Sequence, residues 1–135
     1  SVSYFKTEDK VSRDTISVFS TIKEIQERNG ELACNRFIIS NCQSSVDVAR
    51  VYAMAKLCAW EDSLPLDIVP LFETIDDLSK ADETMRELFE NRVYYQHLVS
   101  RGKKQTIMLG FSDGTKDGGY FSANWSIYKA KENIT

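Results

Sequence analysis

Three short apolar runs constrain this chain more than anything else in it: Arg36–Ser40 (RFIIS), Leu66–Phe72 (LDIVPLF) and Gln105–Phe111 (QTIMLGF). Each is nearly continuous in its hydrophobicity and rich in Ile, Val or Phe. That is the pattern of a strand covered on both faces, as in a parallel sheet. Pro70 cannot donate to a central ladder, so a bulge or the end of a ladder is expected there.

The segments between the runs have helical spacing. Thr15–Arg28 carries Ile16, Phe19, Ile22 and Ile25 on one face and stops at Asn29-Gly30, a C-terminal signal. Ser44 or Ser45 can cap the next helix, whose apolar side holds Val48, Val51, Tyr52, Ala55 and Ala59. A third helical region starts at Thr74, breaks near Ser79-Lys80, resumes through Met85, Leu88 and Phe89 to Leu98, and ends before Gly102. Lys116–Lys131 reads as a last helix, with Tyr120, Ala123, Ile127 and Ala130 on one face. Each strand is thus followed by a helix, and parallel strands joined by helical crossovers are the economical arrangement. The expected fold class is α/β: residues 1–35 form a leading helix and 36–135 three parallel β/α units, all in one domain. Three strands make an open sheet where a closed barrel takes about eight. The expectation is therefore a partial TIM-type barrel whose open faces self-associate or meet the rest of a longer chain.

Composition excludes several function classes. A net charge of −3 and a pI near 5.2 argue against a general nucleic-acid or anionic-membrane binder; the clearest basic pair, Lys103-Lys104, is isolated. No apolar run approaches the roughly 18 residues of a membrane span. Cys34, Cys42 and Cys58 form no C-x-x-C pair, and the one histidine, His97, leaves no Cys/His metal site. The thiols are expected to be reduced, in a cytoplasmic protein. His97 is assigned to a helix surface. Tyr94, Tyr95, Trp60 and Trp125 are read as packing residues, and Arg50, Arg86, Arg92 and Arg101 as helix-surface or interface charges.

Ligands of parallel α/β folds gather at the carboxyl ends of the strands. Here the first run leads into Ser40-Asn41, the second into Glu73-Thr74 and the third into Ser112-Asp113. With neighbouring strands about 4.8 Å apart, Glu73 and Asp113 could share an ion. Two carboxylates completed by water and substrate oxygens suit Mg²⁺ or Mn²⁺. The competing reading is that both acids only cap the helices that follow. Beyond Asp113, Gly114-Thr115-Lys116-Asp117-Gly118-Gly119 forms a strand-to-helix turn, where free N–H groups and the Lys116 ammonium would suit a phosphate or carboxylate. The turn matches no nucleotide-binding motif, and Asp117 reads as a helix-start acid.

IMLGFSDGTKDGG (Ile107–Gly119) closely resembles the lysine-containing signature of phosphoenolpyruvate carboxylases, Met-x-Gly-Tyr-Ser-Asp-Ser-x-Lys-Asp-x-Gly, departing from it at Phe111 and Gly114. VPLFETIDDL (Val69–Leu78) resembles the family's Leu-Phe-Glu-Thr segment, and RFIISNCQSSVDV (Arg36–Val48) the strand and helix start before it. The order is the family's, and the resemblance is specific from about Arg36 to Trp125. It implies an eight-stranded α/β barrel in a chain several times longer, and the Mg²⁺- or Mn²⁺-dependent carboxylation of phosphoenolpyruvate by bicarbonate, giving oxaloacetate and phosphate. It further implies that Glu73 and Asp113 are metal ligands and Lys116 the active-site lysine. Neither the family's Thr-Ala-His-Pro-Thr motif nor its His-Gly-Arg-Gly segment occurs in these 135 residues, so the chain alone is expected to be inactive. Two other readings stand beside this one: a different metal-dependent enzyme of the phosphoenolpyruvate/pyruvate barrel type, and a non-catalytic binding or assembly module.

Overall fold

The computed structural model describes residues 10–110 and 124–134. Helix α1 (Lys10–Asn29) ends where Gly30 takes the left-handed conformation (φ 87°), its N–H returning to the Gln26 carbonyl at 2.8 Å. This is the αL termination that Asn-Gly predicts. A single 3₁₀ turn, Glu31–Ala33, leads into strand β1 (Arg36–Ile39). Helix α2 (Ser45–Cys58), strand β2 (Asp67–Phe72), helices α3 (Ile75–Ser79), α4 (Ala81–Glu90) and α5 (Arg92–Ser100), strand β3 (Met108–Leu109) and helical backbone over 124–134 (α6) follow.

The three strands are parallel, in the order β1-β2-β3. Phe37 lies beside Ile68, Ile39 beside Pro70 and Phe72 beside Leu109. Pro70 thus falls at the last register pair with β1, and from Leu71 onward β2 pairs with β3. The missing N–H sits where the ladder changes partner.

The strand-to-helix turns after β1 and β2 are closed by capping boxes. After β1, Asp47 Oδ2 accepts from the Gln43 and Ser44 N–H groups, each at 3.0 Å. After β2, Thr74 Oγ1 accepts from the Asp77 N–H at 3.1 Å while Asp77 Oδ2 accepts from the Thr74 N–H at 3.2 Å. These bonds satisfy donors that a helix start otherwise leaves orphaned. They also make the turns after β1 and β2 fixed pieces of backbone.

One sheet face packs on the helices. Phe37, Ile39, Ile68, Phe72 and Leu109 join Phe19 and Ile22 of α1, Val48 and Ala55 of α2, Met85 and Leu88 of α4, Tyr94 and Leu98 of α5 and Ala130 of α6. The Phe19 ring lies 5.0 Å from that of Phe37 and edge-on to Trp60 at 6.4 Å. Burying a side chain such as Phe19 or Phe72 stabilises the fold by about 2–3 kcal/mol. The opposite sheet face is open at its edges: Ile38 is 52% exposed and Met108 39%.

Five expectations need correction. The third strand starts at Met108 rather than Gln105, because the Gln105 side chain, not its backbone, meets β2: Nε2 donates to the Ile68 carbonyl at 2.8 Å; the expected end at Phe111 lies outside the described residues. The third helical region breaks a second time, at Asn91, whose Oδ1 accepts from the Val93 and Tyr94 N–H groups at 3.1 Å and starts α5 afresh. His97 is buried, not on a helix surface, because it shares the inward face of α5 with Tyr94 and Leu98. Arg101 is a structural tie rather than a loose surface charge; its guanidinium bonds to Asp67 and Glu31. Tyr95 and Trp125 lie outside the core, Trp125 stacked on Tyr128 at 5.6 Å on the exposed side of α6. The start proposed for the last helix, at Lys116, lies outside the described residues.

Candidate functional site

Glu73 follows the last residue of β2 and stands at the carboxyl edge of the sheet, half-buried. The ends of both neighbouring strands converge on it. From the β1 side, the Asn41 N–H donates to Glu73 Oε2 at 3.0 Å. From the β3 side, the Gly110 N–H donates to the Phe72 carbonyl at 2.7 Å, laying the Gly110 backbone against the glutamate.

The conformation of Asn41 makes the first contact possible. Successive N–H groups of an extended strand point to opposite sides. Asn41 has φ 52°, the left-handed region that asparagine tolerates better than most residues. There the N–H of Asn41 reaches Glu73 and the next N–H, of Cys42, reaches the Leu71 carbonyl at 3.1 Å. Both consecutive donors face β2.

Gly110 acts by absence. A Cβ at this position would lie 3.0 Å from Glu73 Cα, 3.1 Å from Glu73 Cγ and 3.1 Å from the Phe72 oxygen. Such contacts are too tight to accommodate without moving the glutamate, so the strand end takes a residue with no side chain.

Cys42, beside this edge, is fully buried. Burial, and then the charge of Asp47, push its thiol up to about 11, while its Sγ–H faces the Ser44 carbonyl at 3.7 Å. A thiol held protonated is a packing group and not a nucleophile. His97 is buried against the rings of Tyr52 (5.1 Å) and Tyr94 (5.6 Å).

Among the described residues, the carboxyl edge therefore presents one oriented carboxylate at a strand end, that of Glu73. Glu73 makes no ion pair among the described residues, and a carboxylate oxygen is the hard donor that Mg²⁺ and Mn²⁺ take. No cluster of three or more His, Cys, Asp or Glu side chains suited to a metal occurs among the described residues. Of the site residues expected from the sequence, Glu73 stands at the predicted strand end; Asp113 and Lys116 lie outside the described residues. The sequence alone assigns no role to Asn41 or Gly110. The signal for them was faint: an asparagine directly after one strand, and a glycine directly after another.

The opposite edge offers a depression but no comparable chemistry. A cavity of about 540 Å³ is lined by Lys23, Leu57, Cys58, Trp60, Asp62 and Pro65, among others. Its lysine is engaged, Lys23 Nζ donating to the Ala59 carbonyl at 2.7 Å. Lys56 nearby binds the Glu61 carbonyl at 2.6 Å and also the Asp62 carbonyl. Burial raises the Cys58 thiol above its ordinary value. No helix among the described residues is long and apolar enough to cross a membrane.

Comparison with known proteins places the chain among relatives of one kind. The sequence profile described as phosphoenolpyruvate carboxylase matches residues 3–135. A phosphoenolpyruvate carboxylase of Xanthomonas oryzae pv. oryzae is 38% identical over 132 residues, covering 96% of this chain and 15% of the relative. One from Methylorubrum extorquens is 38% identical over 130 residues, covering 92% of this chain and 14% of the relative. One from Prochlorococcus marinus is 38% identical over 130 residues, covering 90% and 13%. The chain spans about a seventh of the length of these relatives.

Proposed function

The chain belongs to the phosphoenolpyruvate carboxylase family, and from that membership we propose that it forms three β/α units of the barrel of an enzyme that carboxylates phosphoenolpyruvate with bicarbonate, yielding oxaloacetate and phosphate. The observation that carries the proposal is the position of Glu73. The glutamate of the family-like Leu-Phe-Glu-Thr segment stands at the carboxyl edge of a parallel sheet, oriented by the ends of both neighbouring strands. That edge is where barrel enzymes build their sites.

In this reading Glu73 and Asp113 hold Mg²⁺ or Mn²⁺, and Lys116 faces the same anionic substrate. A bound divalent cation would supply charge neutralisation at the phosphate and carboxylate of phosphoenolpyruvate. Lys116 contributes a compact point charge to the same anions. Glu73 keeps one oxygen on the Asn41 amide and offers the other, so its role is to bind and orient. The compartment is the cytoplasm. The remaining catalytic groups of the family, its motif histidine and its arginine segment, are supplied from outside these 135 residues, and the chain alone is inactive. The exposed Ile38 and Met108 on the open sheet face are covered by the rest of the parent chain, or by self-association when the 135 residues are isolated.

The test is bicarbonate-dependent oxaloacetate formation by the full-length protein. Glu73→Gln, Asp113→Asn and Lys116→Met are each expected to lower kcat by about a hundredfold or more, the scale of losing a charge-stabilising group. Wild-type turnover in all three variants would refute the assignment. A non-catalytic module would show no turnover in the wild-type protein either. For the isolated 135 residues, sedimentation is expected to show concentration-dependent association; a monomer at all concentrations would overturn that part.

A further inference from the structure

We infer that Asn41 and Gly110 are positioning residues that preset the carboxylate of Glu73 for a divalent cation before any cation arrives. The inference rests on the metal-binding reading of Glu73 just proposed and concerns how the apoprotein shapes that one ligand.

A glutamate at a strand end is a poor ligand by default, because a flexible three-torsion side chain must be ordered at the moment of binding. Here two elements have already ordered it. The Asn41 amide holds Oε2 at 3.0 Å, which occupies one carboxylate oxygen and leaves Oε1 with no donor among the described residues. The strand end at Gly110 confines the stem, since an added Cβ would come within 3.0 Å of Glu73 Cα and 3.1 Å of Cγ. The first contact depends on the left-handed backbone of Asn41 (φ 52°). The second depends on the missing side chain of Gly110. Neither residue uses a side-chain functional group, so both roles are backbone roles. Outer partners of a ligating side chain typically change metal affinity about 10–100-fold when removed.

The experiment uses the full-length protein and Mn²⁺ alone, with free Mn²⁺ followed by electron paramagnetic resonance and the metal-free melting temperature recorded beside it. Asn41→Gly keeps the amide and the left-handed conformation, and is expected to bind Mn²⁺ with wild-type affinity. Asn41→Val keeps the amide but disfavours φ 52°, and is expected to weaken Mn²⁺ binding about tenfold. Gly110→Ala is expected to weaken it similarly by displacing Glu73. Should Asn41→Val fail to fold, Asn41→Ala carries the same prediction. Wild-type affinity in both Asn41→Val and Gly110→Ala, alongside a large loss in Glu73→Gln, would overturn the inference while leaving Glu73 a ligand. Equal losses in Asn41→Gly and Asn41→Val would also overturn it, because the side chain would then matter and not the backbone. Unchanged Mn²⁺ affinity in Glu73→Gln would instead remove the metal-binding reading itself.

Discussion

Arg101 and Asp67 close the chain across the amino edge of the sheet: Arg101 Nε donates to Asp67 Oδ1 at 2.7 Å, tying the end of α5 to the first residue of β2. The same guanidinium reaches Glu31 Oε1 through Nη1 at 2.6 Å, and only 16% of the arginine side chain is exposed. One planar cation therefore links three segments that are far apart in sequence, a task suited to the fork of an arginine.

Replacing Arg101 by Met is expected to destabilise the fold by about 1–2 kcal/mol, since it strands Asp67, the less exposed of the two acids. Glu31→Ala should cost well under that, because Glu31 is 44% exposed and exposed pairs contribute little. Arg101→Lys should recover only part of the loss, as one ammonium cannot bridge both acids. Urea midpoints for the three variants check the order, and a Glu31→Ala cost equal to that of Arg101→Met would contradict it.

His97 makes acid stability a second test. Burial first, and then the positive charge of Arg101, lower its pKa from the ordinary 6.5. Asp67 and a hydrogen bond to the Leu66 backbone act the other way, and Lys56 of α2 adds to the lowering; Tyr52 and Tyr94 supply the surrounding rings. Because the folded protein holds the proton less tightly than the unfolded chain, stability is complete above about pH 6.5 and falls as pH drops toward the folded pKa. Melting temperature should decline over that interval, and His97→Gln should flatten this part of the decline. A variant with the same slope as wild type between pH 6.5 and 5 would show that His97 does not set it.

The buried histidine also marks how far the sequence could be read. Helix spacing aligns His97 with Tyr94 and Leu98, three positions before and one after on the same face, but nothing in the local sequence supplies a buried imidazole with a partner. Its partners, the Leu66 backbone and the Tyr52 ring, come from other elements and leave no local trace. The three parallel strands and Glu73 at a strand end were legible because hydrophobic runs and their punctuation are local signals. The tie among Glu31, Asp67 and Arg101, and the closeness of Gly110 to Glu73, depend on strand register, which appears only once the sheet is assembled. Asn41 shows the same limit in one residue: an asparagine after a strand permits φ 52° but does not announce it.

Cys42 gives a chemical test of the edge beside Glu73. With its thiol pushed from the ordinary 9.0 up to about 11, the thiolate fraction near neutral pH falls about a hundredfold. Iodoacetamide at pH 7.5 should therefore label Cys34, which is only partly buried, at least about a hundredfold faster than Cys42. Peptide mass spectrometry reads the two rates. Comparable labelling in the native protein would mean that the turn after β1 opens readily.

Gln105 tests why β3 is short. Its Oε1 accepts from the Tyr94 hydroxyl at 2.8 Å, and its Nε2 donates to the Ile68 carbonyl at 2.8 Å. Tyr94 is 1% exposed, so its hydroxyl has no solvent to turn to. Gln105→Ala would orphan two buried groups, the Tyr94 hydroxyl and the Ile68 carbonyl, at a cost of about 2–3 kcal/mol. Tyr94→Phe orphans only Gln105 Oε1, at the edge of solvent, and should cost about 1 kcal/mol. In the double variant the Tyr94 hydroxyl no longer exists to be stranded, so its cost should fall below the sum of the two single ones. Additive costs would mean that the two side chains do not act together and that something other than Gln105 holds the approach to β3 away from β2.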